Sequence, residues 1–206
     1  MGDLCKLPIE DFCKKLGAPT PTPGGGAVGA VVASFAAALA KMVAGLTLSK
    51  KGYEEYESEM ERIAEEMEER VQKLQELANE DVAAFDAVIT AFKLPKGEER
   101  KAAIQKALKR AAEVPFEVAR CARTILSELE PLAEWGNKNA ISDVASSAHL
   151  AMAAFKIALE NVDINLKSIK DEKFVKAMNE EIEELKSQIE GSYSRILKLV
   201  EESSQA

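Results

Sequence analysis

Residues 19 to 49 read PTPTPGGGAVGAVVASFAAALAKMVAGLTLS: a proline-rich lead-in, three consecutive glycines and a long apolar stretch with almost no polar face. A helix that is apolar all round must be enclosed by protein or by lipid, because an ordinary surface helix keeps one solvated side. Gly25, Gly29, Ala33 and Ala37 recur every four residues, as do Gly26, Ala30, Ser34 and Ala38. Two ridges of small side chains therefore run up this helix and let neighbouring backbones approach closely. The glycines at its head, Gly24, Gly25 and Gly26, present bare backbone N–H groups at the positive end of a helix dipole, a setting that suits a carboxylate or phosphate. Ala27 to Leu48 is long enough to span a bilayer, but it is built mostly of Ala and Gly, carries Lys41 and has no aromatic belt, so burial in protein is expected.

The rest of the chain steps by three or four and lacks two-residue alternation, so it reads as all-α, an up-and-down bundle of long helices forming a single domain over residues 1–206. A short helix is expected over Ile9 to Leu16, stopped by Gly17, and Gly52 marks a break after the apolar helix. From Tyr53 to Phe92 the positions Tyr56, Met60, Ile63, Met67, Val71, Leu74, Ala78, Val82, Phe85, Ile89 and Phe92 form one seam. Such a helix is about 60 Å long, so either a kink near Asn79 shortens it or part of it packs on a second subunit. A homodimer joined by helix packing is expected on this ground. Pro95 and Gly97 end it, and the following helix, Glu98 to Leu129, contains Pro115, which should kink or divide it. Pro131 and Gly136 are expected to bracket a loop, followed by an Ala-rich helix to about Glu160 and a charged amphipathic helix ending near Glu202.

Twenty-seven basic against thirty-five acidic residues give a formal charge of −8, with both signs dispersed, which argues against nucleic acid as a partner. Cys5, Cys13 and Cys121 have no CxxC spacing, and the single His149 cannot complete a zinc set with them, so neither a metal nor a disulfide framework is expected. A reducing cytoplasmic setting follows, and the acidic start of the chain does not read as a secretory signal.

Polar residues stand out where the pattern is otherwise apolar. Asp81 and Asp86 flank the buried seam in NEDVAAFDAVITAFK, and Asp86 shares a helix face with Lys93 two turns on, a juxtaposition that a simple surface pair would also explain. In GNKNAISD, Asn139 and Asp143 are one turn apart, while Asn137 and Ser142 occupy positions typical of caps. Asn161 and Asn165 are again four apart near the end of an apolar helix. Buried amides and carboxylates either satisfy one another or line a ligand pocket. There is no GxSxG elbow and no Walker or dinucleotide fingerprint, so the inventory is carboxylates, amides, lysine and backbone N–H groups, which suits proton transfer in a water-restricted pocket.

The ordered set PTPGGGAVGA, MVAGLTLSKKGYEEY, DVAAFDAVITAFKLPK, AAEVPFEVA, GNKNAISDV and ALENVDIN, from about Leu7 to about Lys198, resembles the cyclodeaminase/cyclohydrolase family. That family includes the cyclodeaminase domain of formiminotransferase-cyclodeaminase and free-standing methenyltetrahydrofolate cyclohydrolases. The resemblance implies an all-helical homodimer, a tetrahydrofolate derivative as substrate and no permanently bound cofactor. It also implies that 5-formiminotetrahydrofolate is closed to 5,10-methenyltetrahydrofolate with release of ammonia. Asp81, Asp86 and Asp143 would then share the roles of general acid and base. Lys93 would steady a carboxylate or the folate tail. Asn137, Asn139, Ser142 and Asn165 would hold the substrate's polar edges, and the glycine turn would meet an anionic or carbonyl group. The rival on the same fold is methenyltetrahydrofolate cyclohydrolysis. A rival of another class is a non-enzymatic helical dimerisation module, whose Asp and Asn residues are caps.

Overall fold

The structure is a computed structural model that describes residues 2–205. Among the described residues six α-helices follow one another: α1 (Ile9–Leu16), α2 (Gly25–Leu48), α3 (Glu57–Lys93), α4 (Glu98–Trp135), α5 (Ile141–Leu166) and α6 (Glu172–Gln205). No strand occurs among the described residues, and three short 3-10 turns precede α1, α3 and α5. The connections from α3 onward span only a few residues, which makes successive helices antiparallel neighbours.

The apolar helix α2 packs against α3, α5 and α4. Its length and hydropathy would let it cross a membrane, but here twelve of its residues, seven of them alanine, are buried against the neighbouring helices. The small-residue ridges explain the closeness of these contacts. A Cβ on Gly29 would stand 3.0 Å from Cγ2 of Ile157 on α5, and Ser147 Oγ of α5 donates to the Ala36 carbonyl at 2.7 Å. Met60, Ile63, Met67, Leu74 and Leu77 of α3 complete this core with Ile125, Leu126 and Leu129 of α4, all buried. The last helix, α6, lies outside α4 and α5 and contributes Ile189 and Ile196 to the same core.

The seam of α3 forms one helix of 37 residues, about 55 Å long and unbroken at Asn79. Asn79 serves another purpose. Its Oδ1 accepts from the Leu4 amide at 2.8 Å and its Nδ2 donates to Asp3 Oδ1 at 2.9 Å, so it anchors the start of the chain to α3.

The expected boundaries of α4 and α5 need correction. Pro115 does not divide α4, and Pro131 lies inside its last turns rather than in a loop, so the helix reaches Trp135 and Gly136 is its C-cap. Packing overrides the proline signal: Val114, Phe116 and Val118 around the first proline, and Leu129, Leu132 and Ala133 around the second, are all buried. Helix α5 continues past Glu160 to Leu166, which puts Asn161 and Asn165 on its last turns.

Candidate active site

Four helices converge at the N-terminal end of α2. The loop residues Pro21 and Thr22, the glycine turn Gly24, Gly25 and Gly26, Asp81 and Phe85 of α3, Ala111 of α4, and Asn161 and Asn165 of α5 line a cavity of about 350 Å³. That volume lies within the range of small-molecule sites. The Thr22–Pro23 peptide bond that leads into the turn is cis.

Asp81 and Gly26 fit together as one unit. A Cβ on Gly26 would lie 2.0 Å from Asp81 Oδ1 and 2.6 Å from its Cγ, so only a glycine leaves room for the carboxylate. Gly24 caps α2 without a side chain, and the first amides of a helix have no partner within it. The Ala27 amide turns to Asp81, while those of Gly25 and Gly26 border the cavity. Burial pushes the Asp81 carboxyl above the ordinary carboxylate range, and the bond from Ala27 draws it partly back. An upward shift caused by burial is the direction in which a carboxyl becomes able to hold a proton as well as to accept one.

The opposite wall is made by the end of α5. Asn165 Nδ2 donates to the Ala111 carbonyl at 3.0 Å and to the Asn161 carbonyl at 2.8 Å. Ala111 stands four residues before Pro115, so the proline deprives that carbonyl of its helical partner, and Asn165 supplies the missing donor.

Of the candidates named from the sequence, Gly24, Gly25, Gly26, Asp81 and Asn165 come together here. The others do not join them within the chain. Asp86 is five residues from Asp81, about 140° round the helix, so it is exposed on the outer face of α3, and Lys93 is exposed too. The single cleft expected to hold all three aspartates is therefore not formed by one chain.

Asn137, Asn139, Ser142 and Asp143 cluster at the far end of the bundle, with Asp143 about 27 Å along α5 from Asn161. There Asn137 is a structural hub. Its backbone N–H donates to Thr47 Oγ1 at 2.9 Å, and its Oδ1 accepts from Lys50 Nζ at 2.9 Å and from the Asn139 backbone N–H at 3.0 Å. It ties the α4–α5 connection to the C-terminal end of α2. Ser142 and Asn139 are exposed, and Asp143 is half-buried.

Asn161, noted in the sequence without a role, and Phe85, which was not a candidate, also line the cavity. Their signal was the spacing Asn161–Asn165 and the face that Phe85 shares with Asp81 one turn away. A larger groove of about 690 Å³ lies beside α6, lined by Glu172, Glu180 and Glu183 with Leu166, Ile169 and Val175, and it contains none of the candidate residues.

A family model described as formiminotransferase-cyclodeaminase matches residues 8–184. The crystal structure of a formiminotetrahydrofolate cyclodeaminase from Thermotoga maritima superposes with a TM-score of 0.91 at 49% identity, covering 96% of this chain and 98% of that one. A methenyltetrahydrofolate cyclohydrolase of Methylorubrum extorquens is 38% identical over 93% of this chain and 95% of its own length. The formimidoyltransferase-cyclodeaminase of Gallus gallus is 34% identical over 96% of this chain, which spans only 38% of that longer protein.

Proposed function

The chain belongs to the formiminotransferase-cyclodeaminase family, and we propose that it is a formiminotetrahydrofolate cyclodeaminase. The observation that carries this reading is the Asp81 carboxyl, raised by burial and seated on Gly26 at the mouth of a cavity whose other wall is made of amides. The Thermotoga protein, 49% identical over nearly the whole of both chains, supports cyclodeamination as the reaction.

In that reaction N10 of the folate attacks the formimino carbon on N5, giving a tetrahedral centre that carries an amino group. N10 must lose its proton, and the amino group must gain one before it leaves as ammonia. Asp81 as carboxylate takes the first proton and as acid delivers one to the departing nitrogen, and its displaced titration serves both steps. The Gly25 and Gly26 amides face a carbonyl or carboxylate of the substrate. The proposal includes a tetrahydrofolate derivative as substrate with no resident cofactor, no nucleic-acid or membrane partner, and a reducing cytoplasmic setting for the free thiols of Cys5, Cys13 and Cys121.

It also includes a homodimer. On α2, Phe35, Met42 and Leu46 are 52%, 40% and 44% exposed and lie on one side of the helix. A second copy packed antiparallel on this stripe would bring its own Asn137–Asp143 segment toward the glycine turn. The second carboxylate would then be Asp143 of the other copy.

Cyclohydrolysis of 5,10-methenyltetrahydrofolate is the second reading, favoured by the full-length match to the Methylorubrum protein. The two are separated by incubating the protein with each substrate and following ammonia and the methenyl absorbance. Cyclodeamination gives ammonia and a growing methenyl band from the formimino substrate. Loss of the methenyl band without any ammonia-forming activity would assign the hydrolase instead.

A further inference from the structure

Nothing in the reaction above uses Asn161, although its side chain is oriented by its surroundings. Its Nδ2 donates to the Ile157 carbonyl at 2.8 Å. A primary amide whose nitrogen is held in this way presents its oxygen as an acceptor. The amide lies against the glycine turn: a Cβ on Gly25 would be 3.5 Å from Asn161 Nδ2 and 4.0 Å from Oδ1, and both residues line the cavity. The neighbouring Asn165 is fixed in the same sense, because its Nδ2 is shared between the carbonyls of Ala111 and Asn161. The α5 wall therefore offers amide oxygens, and the α2 wall offers the N–H groups of Gly25 and Gly26. A ring with hydrogen-bond donors on one edge and a carbonyl beside them matches this division.

We propose that Asn161 is a specificity-determining residue whose Oδ1 accepts from the 2-amino group of the substrate's pterin ring, with the ring carbonyl turned toward the glycine amides. The inference rests on the folate reading above and deepens it. Asn165 acts as a positioning residue, because it holds the backbone of Asn161 from one turn further along α5.

The test is calorimetric titration with 5-formyltetrahydrofolate and with its 2-desamino analogue. The wild-type protein should bind the first about tenfold more tightly, the scale of one hydrogen bond. Asn161→Ala should bind the two alike, and Asn161→Asp, which keeps an oxygen in place, should retain the preference. A merely structural role for Asn161 would weaken both ligands equally and leave their ratio untouched. An undiminished ratio in Asn161→Ala, a lost ratio in Asn161→Asp, or equal binding of the two ligands by the wild type overturns the assignment of Asn161 while the folate reading stands. Failure of the wild type to bind either ligand overturns both.

Discussion

In the proposed reaction the chemistry is concentrated where Asp81 meets Gly26. Removing the titrating group with Asp81→Asn should lower kcat by roughly a hundredfold or more, the usual scale for a proton-transfer residue. The same substitution should leave the fold at least as stable at neutral pH. Burial raises the Asp81 carboxyl, so below the ordinary carboxylate value of about 3.9 the group is neutral in folded and unfolded chains alike and costs nothing. As pH rises through the higher folded value, ionisation is resisted in the fold and stability is lost. Thermal melts from pH 3 to pH 8 should therefore show Asp81→Asn gaining on the wild type as pH rises, with no difference at the acid end. Gly26→Ala should displace the carboxylate, because the new Cβ would lie 2.0 Å from Oδ1. A stability loss of about 1–3 kcal/mol and a fall in kcat comparable to that of Asp81→Asn are expected, read by denaturant titration and steady-state kinetics. The placement of Asp81 was legible in the sequence as a carboxylate beside an apolar seam. Its partnership with Gly26 was not, because a contact between helices 55 residues apart leaves no spacing to read.

Among the helices, α4 carries the most instructive departure from sequence expectation. Proline usually ends a helix, yet α4 passes through Pro115 and Pro131 because buried neighbours hold both. The carbonyl that Pro115 leaves free at Ala111 is answered from α5 by Asn165, so a local defect becomes a link between two walls of the site. A double-mutant cycle tests that link. Asn165→Ala should cost about 1–3 kcal/mol through an unpaired, part-buried carbonyl. In a Pro115→Ala background, where the helix can pair that carbonyl itself, the cost should shrink by about 1 kcal/mol, measured by urea denaturation. Additive effects would show the two residues to be independent. The C-terminal ends of α1 and α3 were readable from Gly17, Pro95 and Gly97, whereas α3 starts at Glu57 rather than Tyr53 and the ends of α4 and α5 depended on tertiary packing that no local signal records.

At the scale of the whole molecule, the small-residue ridges of α2 anticipated the all-helical core, since they let α5 and α3 pack closely on one central helix. Within one chain the polar residues do not assemble into one site, because the Asn137–Asp143 segment and the glycine turn lie at opposite ends of α2, about 30 Å apart. The dimer proposal connects the two ends. Phe35→Glu with Met42→Glu should shift sedimentation from dimer to monomer and abolish turnover while the circular dichroism stays helical. Retained turnover in a monomer would remove the second copy from the reaction. Whether a buried aspartate moves protons on a folate is decided by giving 5-formiminotetrahydrofolate to the wild type and to Asp81→Asn while recording ammonia and methenyl absorbance together. Stoichiometric ammonia and methenyl product are expected from the wild type, and a rate of about one per cent or less from the variant. Equal rates from both proteins, or a wild type that releases no ammonia, would contradict that role of Asp81.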